Sequence, residues 1–494
     1  MASNTYAFIE RRKNLWIYLI FIIFFFYAII KNTFLSLPWI TEAAGFSATI
    51  HGILVFSLAI TLFALSYKFS FGFKKKNLLV LLFVTMLTLQ VGVWSISPYR
   101  CTDAQGNYNL ALLVAEKGPG YYLSNYHTLQ DTWNLELRSQ IIDSFQELGI
   151  WKWADTLALN ADEDLESGYV GGKYIRSAMQ PPLLPLYLST FIYAFSPSSF
   201  DSPQFALSQW FLVAFIPVVM YLLIRKYFGK TTSLKTTFLF MLVPVLLIYT
   251  ATPVQDAIMP LLFLICTYVF LTAIEKDSNK LLAVSGILVS VTSLVKLSGL
   301  VLFLPFLILI IWRFKTRGIP KCIYLLFSGA VMPVLLFLAF NYNMLLNAIV
   351  AKNIHSHYAT YHLLAQAPLQ AMPMIYTYYL TYFGIPLIVL ALFGLLSIWI
   401  SYRGEESSFY NQNTSGNMMN HKNLSLMNRF SISAAITFII SFAVLYGFFI
   451  KQLLPAFFLL SLPVAYCLKE TENKHIYIYF SILTVQLLLF LFLL

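Results

Sequence analysis

The chain has 494 residues, of which 59% are hydrophobic and only 11% charged, whereas about a quarter of a soluble globular protein is charged. This composition excludes a large soluble domain and indicates an all-α protein that crosses a membrane many times. The net charge of +11 is explained by basic loops that set the orientation of such proteins, so we expect no nucleic-acid partner. The four cysteines are scattered without metal spacing, which argues against a disulfide framework or a zinc site.

Thirteen apolar segments are long enough to cross, or nearly cross, the hydrocarbon core of a bilayer, and we predict a membrane helix for each. In chain order they are residues 14–31, 50–67, 77–97, 205–224, 234–251, 257–274, 281–297, 299–314, 322–340, 376–401, 431–450, 452–468 and 476–494. The first follows Arg11, Arg12 and Lys13 without a small-residue cleavage site after it, so we expect an anchor that is retained.

One further apolar segment, residues 181–197, is short and contains Pro181, Pro182 and Pro185. If this segment lies along the membrane surface, 22 of the 32 Lys and Arg residues fall in cytoplasmic segments. If it crosses instead, the basic loop 225–235 lies outside, against the tendency of basic residues to stay on the cytoplasmic side. We therefore predict 13 crossings, with the N-terminus inside and the C-terminus outside.

Two large loops are predicted on the external side of the membrane. Residues 98–204 form the first loop, in which residues 135–148 have the spacing of an amphipathic helix that lies beside the membrane. Residues 341–375 form the second loop, which is rich in His and Tyr. The expected domains are an N-terminal pair of additional helices (1–76), a catalytic core that includes the first loop (77–350), and the second loop with the C-terminal helices (351–494).

Asp103 is the most informative residue, because it stands where the third predicted span emerges into the first external loop. That loop closes on the double proline Pro181–Pro182. An acid at the end of a membrane helix, followed by a long polar loop, is typical of a membrane enzyme whose general base sits at the water boundary. Asp103 could also act as the N-cap of a helix that starts at Ala104, and the two roles are compatible.

Other ionisable side chains are predicted at the same external face: Asp256, Lys296, His355, His357 and Lys451. Ionisable residues at membrane depth are costly and are candidates for function. Each also has an ordinary explanation: Asp256 could cap the following helix, Lys296 and Lys451 could extend to lipid headgroups, and the histidines could be plain loop residues.

Taken in order, these motifs resemble the GT-C superfamily of polyprenyl-phosphate-sugar-dependent glycosyltransferases, in the branch of protein O-mannosyltransferases and lipid A aminoarabinose transferases. The family's Asp followed by a Tyr, an Ala and a Gly-x-Tyr corresponds to Asp103, Tyr108, Ala111 and Gly118–Tyr121, and its Pro-Pro-Leu/Gly-x-Pro corresponds to Pro181–Pro185. Its small-residue helix that ends in Thr-Lys/Arg-x-x-Gly resembles Ser293–Gly299, and its closing Arg/Lys-x-Leu-x-Pro resembles Lys451–Pro455. Its acid at the start of a helix matches Asp256.

Two positions depart from the family pattern. Ala104 replaces the second acid of the usual Asp-Glu pair, so we expect no divalent metal at this site. Gln180 replaces the basic or His residue that usually precedes the double proline, and Arg176 is the candidate to take over its contact with phosphate. Arg100, close to the first motif, is a further candidate for substrate binding.

The resemblance implies a GT-C bundle that acts as an inverting glycosyltransferase at the outer face of the plasma (inner) membrane. The donor would be a polyprenyl-phosphate sugar and the acceptor a glycan, lipid or protein, with membrane lipids as the other partners and no cofactor. Asp103 would be the general base, Lys296, Arg176 and Lys451 would stabilise the leaving phosphate, and the remaining candidates would bind substrate.

Two alternatives remain open on the sequence. A secondary transporter also carries polar residues in broken helices, although no internal repeat is visible and transporters seldom have so large an external loop. The second alternative is a non-catalytic scaffold or a degenerate transferase, because Ala104 stands where the family has its second acid.

Overall fold

The computed structural model describes residues 38–96, 102–119, 183–197, 199–200, 202–250, 253–339, 383–408, 418–445, 450–469 and 471–493. Its α-helices are α1 Pro38–Ser70, α2 Lys75–Ile96, α3 Thr102–Lys117, α4 Leu183–Phe195, α5 Pro203–Val213, α6 Ile216–Met241, α7 Pro244–Tyr249, α8 Gln255–Glu275, α9 Asn279–Val295, α10 Phe303–Phe314, α11 Ile319–Ala339, α12 Ile385–Ser408, α13 Met418–Leu445, α14 Ile450–Leu459, α15 Ser461–Leu468 and α16 Asn473–Leu493. Short 3-10 turns at Leu297–Leu302 and Lys315–Gly318 flank α10.

The described residues form an all-α structure, and five helical stretches among them are long and apolar enough to cross a membrane. This confirms the predicted class of polytopic helical membrane protein. The number of 13 crossings stays a prediction, since the first predicted span, 14–31, lies outside the described residues. The proposed domain boundaries likewise stay predictions.

The longest of these stretches, Pro203–Met241, is two antiparallel segments rather than one helix. Gly229 has φ +76°, a left-handed backbone conformation that glycine adopts easily, and the chain reverses there. Trp210 Nε1 consequently donates a 2.8 Å hydrogen bond to the carbonyl of Thr250. A continuous helix would hold these two residues about 60 Å apart. The helical hairpin around this basic turn agrees with the predicted pair of spans, and the crossing of the membrane by each of them stays a prediction.

The basic loops meet at one end of the bundle, which we call the basic end. Lys230 Nζ donates to the carbonyls of Phe71 and Phe73 at 2.6 and 2.9 Å, and Lys235 Nζ donates to the carbonyl of Thr471. Further contacts join Lys226 with Glu275, Lys321 with Asp277, and Arg429 with the carbonyl of Trp312. Loops that the charge distribution assigned to one side of the membrane thus lie together, as predicted.

α4 corresponds to most of the ambiguous apolar segment. Its 13 residues extend about 20 Å, less than the roughly 30 Å of a hydrocarbon core. The Tyr187 hydroxyl donates to the carbonyl of Ser208 at 2.8 Å, and burial raises the pKa of Tyr187 to about 12, so this hydroxyl keeps its proton. The short helix packed against α3 and α5 agrees with a segment that does not cross, although its position at the outer surface stays a prediction.

The orientation can be tested by cysteine accessibility in a variant without native cysteines. Lys280 is exposed in the first turn of α9, at the basic end, and Lys117 is exposed at the end of α3, near the opposite end of the bundle. We expect a membrane-impermeant maleimide to label Lys117→Cys in intact cells, and Lys280→Cys only after permeabilisation. The reverse pattern would contradict the predicted orientation.

Candidate functional site

α8 places an acid at the end of the bundle opposite the basic end. The helix begins at Gln255 after the extended residue Val254, and Asp256 lies in its first turn with 1% of its side chain exposed. Because free backbone N–H groups give a helix N-terminus partial positive charge, a carboxylate is stabilised there. The N-cap residue is Val254, which makes no side-chain capping bond, and in the described structure Asp256 Oδ1 contacts Lys296 and Oδ2 has no partner, so Asp256 does not have the capping role considered from the sequence.

Lys296 is the C-cap residue that follows α9, the antiparallel neighbour of α8. Its backbone is extended, with φ −157° and ψ 132°, and the chain then turns into the short 3-10 segment. Gly299 makes this turn possible, because a Cβ atom there would lie 2.8 Å from the backbone nitrogen of Ser293. The fold-back leaves the ammonium group at the C-terminus of α9, where the helix dipole favours a cation.

Lys296 Nζ and Asp256 Oδ1 form an ion pair that is mostly buried. The second carboxylate oxygen, Asp256 Oδ2, is buried and has no hydrogen-bond partner in the part of the chain that the structure describes. A buried polar atom without a partner is costly and calls for a functional explanation. Lys296 keeps 15% of its side chain exposed, so the cation is the half of the pair nearer to solvent. It is therefore not simply a lysine extending to headgroups.

A buried amide fixes the loop that leads into Asp256. Gln209 on α5 donates from Nε2 to the carbonyl of Tyr249 at 2.8 Å and accepts from the backbone N–H of Val254 through Oε1. Both sides of the turn between α7 and α8 are thereby tied to one side chain. Because the loop is clamped in this way, the start of α8 has a defined position relative to α5.

A second amide ties α3 to the same loop. Asn107, which is fully buried, donates from Nδ2 to the carbonyl of Pro253 at 3.0 Å and accepts from Gln255 Nε2 at 3.2 Å. Asp103 lies four residues earlier in the first turn of α3, a spacing that puts the two positions on the same helix face. The fold thus brings the Asp103 position to the end of the bundle that holds the Asp256–Lys296 pair.

The remaining candidates divide into two groups. Lys451 is the second residue of α14, a helix that packs against α8. The other predicted contacts lie outside the described residues: Arg100, Arg176, Gln180, His355 and His357.

Sequence reasoning missed Asn107 and Gln209. The only signal for them was a neutral amide side chain within an apolar or mixed helix. Such a signal does not distinguish a buried residue that holds a loop in place from a residue on the surface. Their contacts reach residues about 40 to 150 positions away, which no local pattern reveals.

This arrangement is suited to an anion. A partly accessible ammonium group lies beside the N-terminus of a 21-residue helix, and both attract negative charge. The acid at Asp103, one helical turn from the clamp residue Asn107, supplies a candidate proton acceptor near this anion site.

Residues 179–342 match the profile of the dolichyl-phosphate-mannose-protein mannosyltransferase family. The matched region contains Asp256, Lys296 and the clamp residue Gln209, whereas Asp103 and Asn107 precede it. No curated protein and no solved structure matches the sequence significantly. The match confirms the resemblance to the GT-C superfamily and supports a membrane glycosyltransferase of the GT-C type.

Proposed function

We propose that this protein is an inverting glycosyltransferase of the GT-C type that moves a sugar from a polyprenyl-phosphate donor to an acceptor at the outer face of the membrane. The observation that carries the proposal is the buried Asp256–Lys296 pair at the start of α8, within the region that matches the family. It supplies a cation for the donor phosphate beside the helix that carries Asp103.

The proposed reaction is a single displacement. Asp103 accepts the proton of the acceptor hydroxyl, whose oxygen attacks the anomeric carbon from the face opposite the phosphate. The bond between that carbon and the phosphate oxygen breaks, and its electron pair leaves with the lipid phosphate. Lys296 and the N-terminus of α8 stabilise the negative charge that develops on this leaving group.

Other residues complete the proposed site. Arg100, Arg176, Gln180, His355, His357 and Lys451 are proposed to contact the donor or the acceptor. An apolar groove between helices would hold the prenyl tail, with membrane lipids around it. The clustering of basic loops at the opposite end supports a site on the external, periplasmic side of the inner membrane.

The decisive experiment is transfer by the purified protein in liposomes. Radiolabelled polyprenyl-phosphate sugars of several kinds are supplied, and labelled product and free polyprenyl phosphate are measured. We expect at least one donor to be consumed with inversion at the anomeric carbon. Binding without turnover, combined with movement of label across the membrane, would favour the transporter instead.

Activity should not depend on a divalent metal. A hard cation needs several oxygen ligands, and Ala104 stands where the second acid of the family motif would be. We expect unchanged initial rates after EDTA treatment and dialysis, measured in the same liposome assay with a metal-dependent enzyme as a positive control. Loss of activity that Mg²⁺ or Mn²⁺ restores would contradict this prediction.

A further inference from the structure

We propose that Asp256 competes with the lipid phosphate for Lys296 and thereby promotes release of the polyprenyl-phosphate product. This inference rests on the proposed function, and it assigns a product-release role to a residue that has no step of its own in the proposed reaction.

The geometry makes the two halves of the pair unequal. Asp256 is 1% exposed and Lys296 15%, so an incoming phosphate approaches the ammonium group rather than the carboxylate. Asp256 is fixed by its place in the first turn of α8, whereas a lysine side chain has several rotatable bonds. When Lys296 turns to phosphate, the carboxylate therefore stays behind, buried and close to the new anion.

Among the residues that the structure describes, the Asp256 carboxylate is held on one side only. In the described structure Asp256 Oδ1 has Lys296 as its partner, and Oδ2 has none. A carboxylate whose single counter-ion is removed regains a large interaction energy when that counter-ion returns. This energy favours the resting pair over the state in which phosphate occupies Lys296.

The donor and the lipid phosphate product differ in the number of negative charges that Asp256 repels. The donor is a phosphodiester with one negative charge, whereas the lipid phosphate product is a monoester with about 1.5 to 2 negative charges at neutral pH. Repulsion from the Asp256 carboxylate grows in proportion to that charge. The residue therefore weakens binding of the product more than binding of the donor.

The test measures binding to the full-length protein in nanodiscs, with two probes that differ in charge. One probe is a polyprenyl phosphate, and the other is its methyl ester, which like the donor carries a single charge. Dissociation constants are compared for the wild type, for Asp256→Asn, and for the control Glu275→Gln. The control removes an acid from a lysine pair at the opposite end of the same helix, so its effect on both probes should be small.

We expect Asp256→Asn to bind the phosphate about tenfold more tightly or better, with a smaller gain for the methyl ester. In turnover, the same variant should show a lower kcat with stronger product inhibition, whereas a merely structural role would weaken binding of both probes. Unchanged or weaker binding of the phosphate in a folded Asp256→Asn protein would overturn the inference.

The wild type alone provides a second test, should Asp256→Asn fail to fold. Because Asp256 and Lys296 together are neutral, the wild type should prefer the phosphate over its methyl ester by no more than about threefold. A preference above about tenfold would show that the site as a whole gains from the second charge of the product, and it would overturn the inference. Absence of saturable binding of either probe would instead overturn the proposed function together with the inference.

Discussion

Replacing Asp103 with asparagine is expected to lower turnover by at least ~100-fold while the protein stays folded and binds donor. Asparagine keeps the shape of the side chain but cannot accept a proton. Positioned general bases typically contribute ~10²–10⁴-fold to a rate. Because Asp103 lies in the first turn of α3, one turn from the buried clamp residue Asn107, its backbone is anchored next to the anion site.

The matched control is Glu116→Gln, which makes the same acid-to-amide change at an exposed position near the other end of α3. Single-turnover rates and donor affinity are measured for both variants. Near-normal rates for Asp103→Asn would refute its role and move the candidate base to Asp256. A variant that does not fold would point instead to stabilisation of the first helical turn, where an acid interacts favourably with the helix dipole.

Replacing Lys296 with methionine is expected to have two large effects. Donor binding should be lost, because the cation that faces the phosphate is removed. Stability should fall by about 3–5 kcal/mol, because the Asp256 carboxylate is left buried without its counter-ion. A single variant cannot separate these effects, since a destabilised protein also binds poorly.

The double variant Lys296→Met with Asp256→Leu separates them. Replacing both members of a buried ion pair with apolar residues is often neutral for stability. We therefore expect thermal unfolding near that of the wild type, with donor binding still lost. Lys226→Met, at the basic end of the bundle, serves as the control for loss of a lysine pair. Wild-type donor affinity in the double variant would show that Lys296 only neutralises Asp256.

The meeting of the basic loops at one end of the bundle was predictable, because basic residues are costly to move across a membrane and therefore accumulate in the loops of one side. Lys230 and Lys235 were assigned to one side by charge alone, and in the structure they bind carbonyls of other loops at that same end. Helix ends were less predictable. The predicted span 234–251 is broken at Leu242–Val243, because proline at position 244 cannot continue the preceding helix.

The candidate residues were found singly and not as a set. Asp103, Asp256 and Lys296 stood out because ionisable groups beside apolar segments are costly and rarely accidental. Their arrangement relative to one another could not be predicted from the sequence. Asp256 and Lys296 are 40 positions apart and form their ion pair only because of the register of α8 against α9.

Sequence alone was enough to identify a helical membrane protein, to group its basic loops and to select the charged residues that are worth testing. Composition and charge fix these features without reference to packing. Three features become visible in the folded protein alone: Lys296 pairs with Asp256, Gln209 and Asn107 clamp the loop before α8, and one carboxylate oxygen is left without a partner among the described residues. These are long-range contacts between buried polar groups, and they depend on how helices meet rather than on any local pattern.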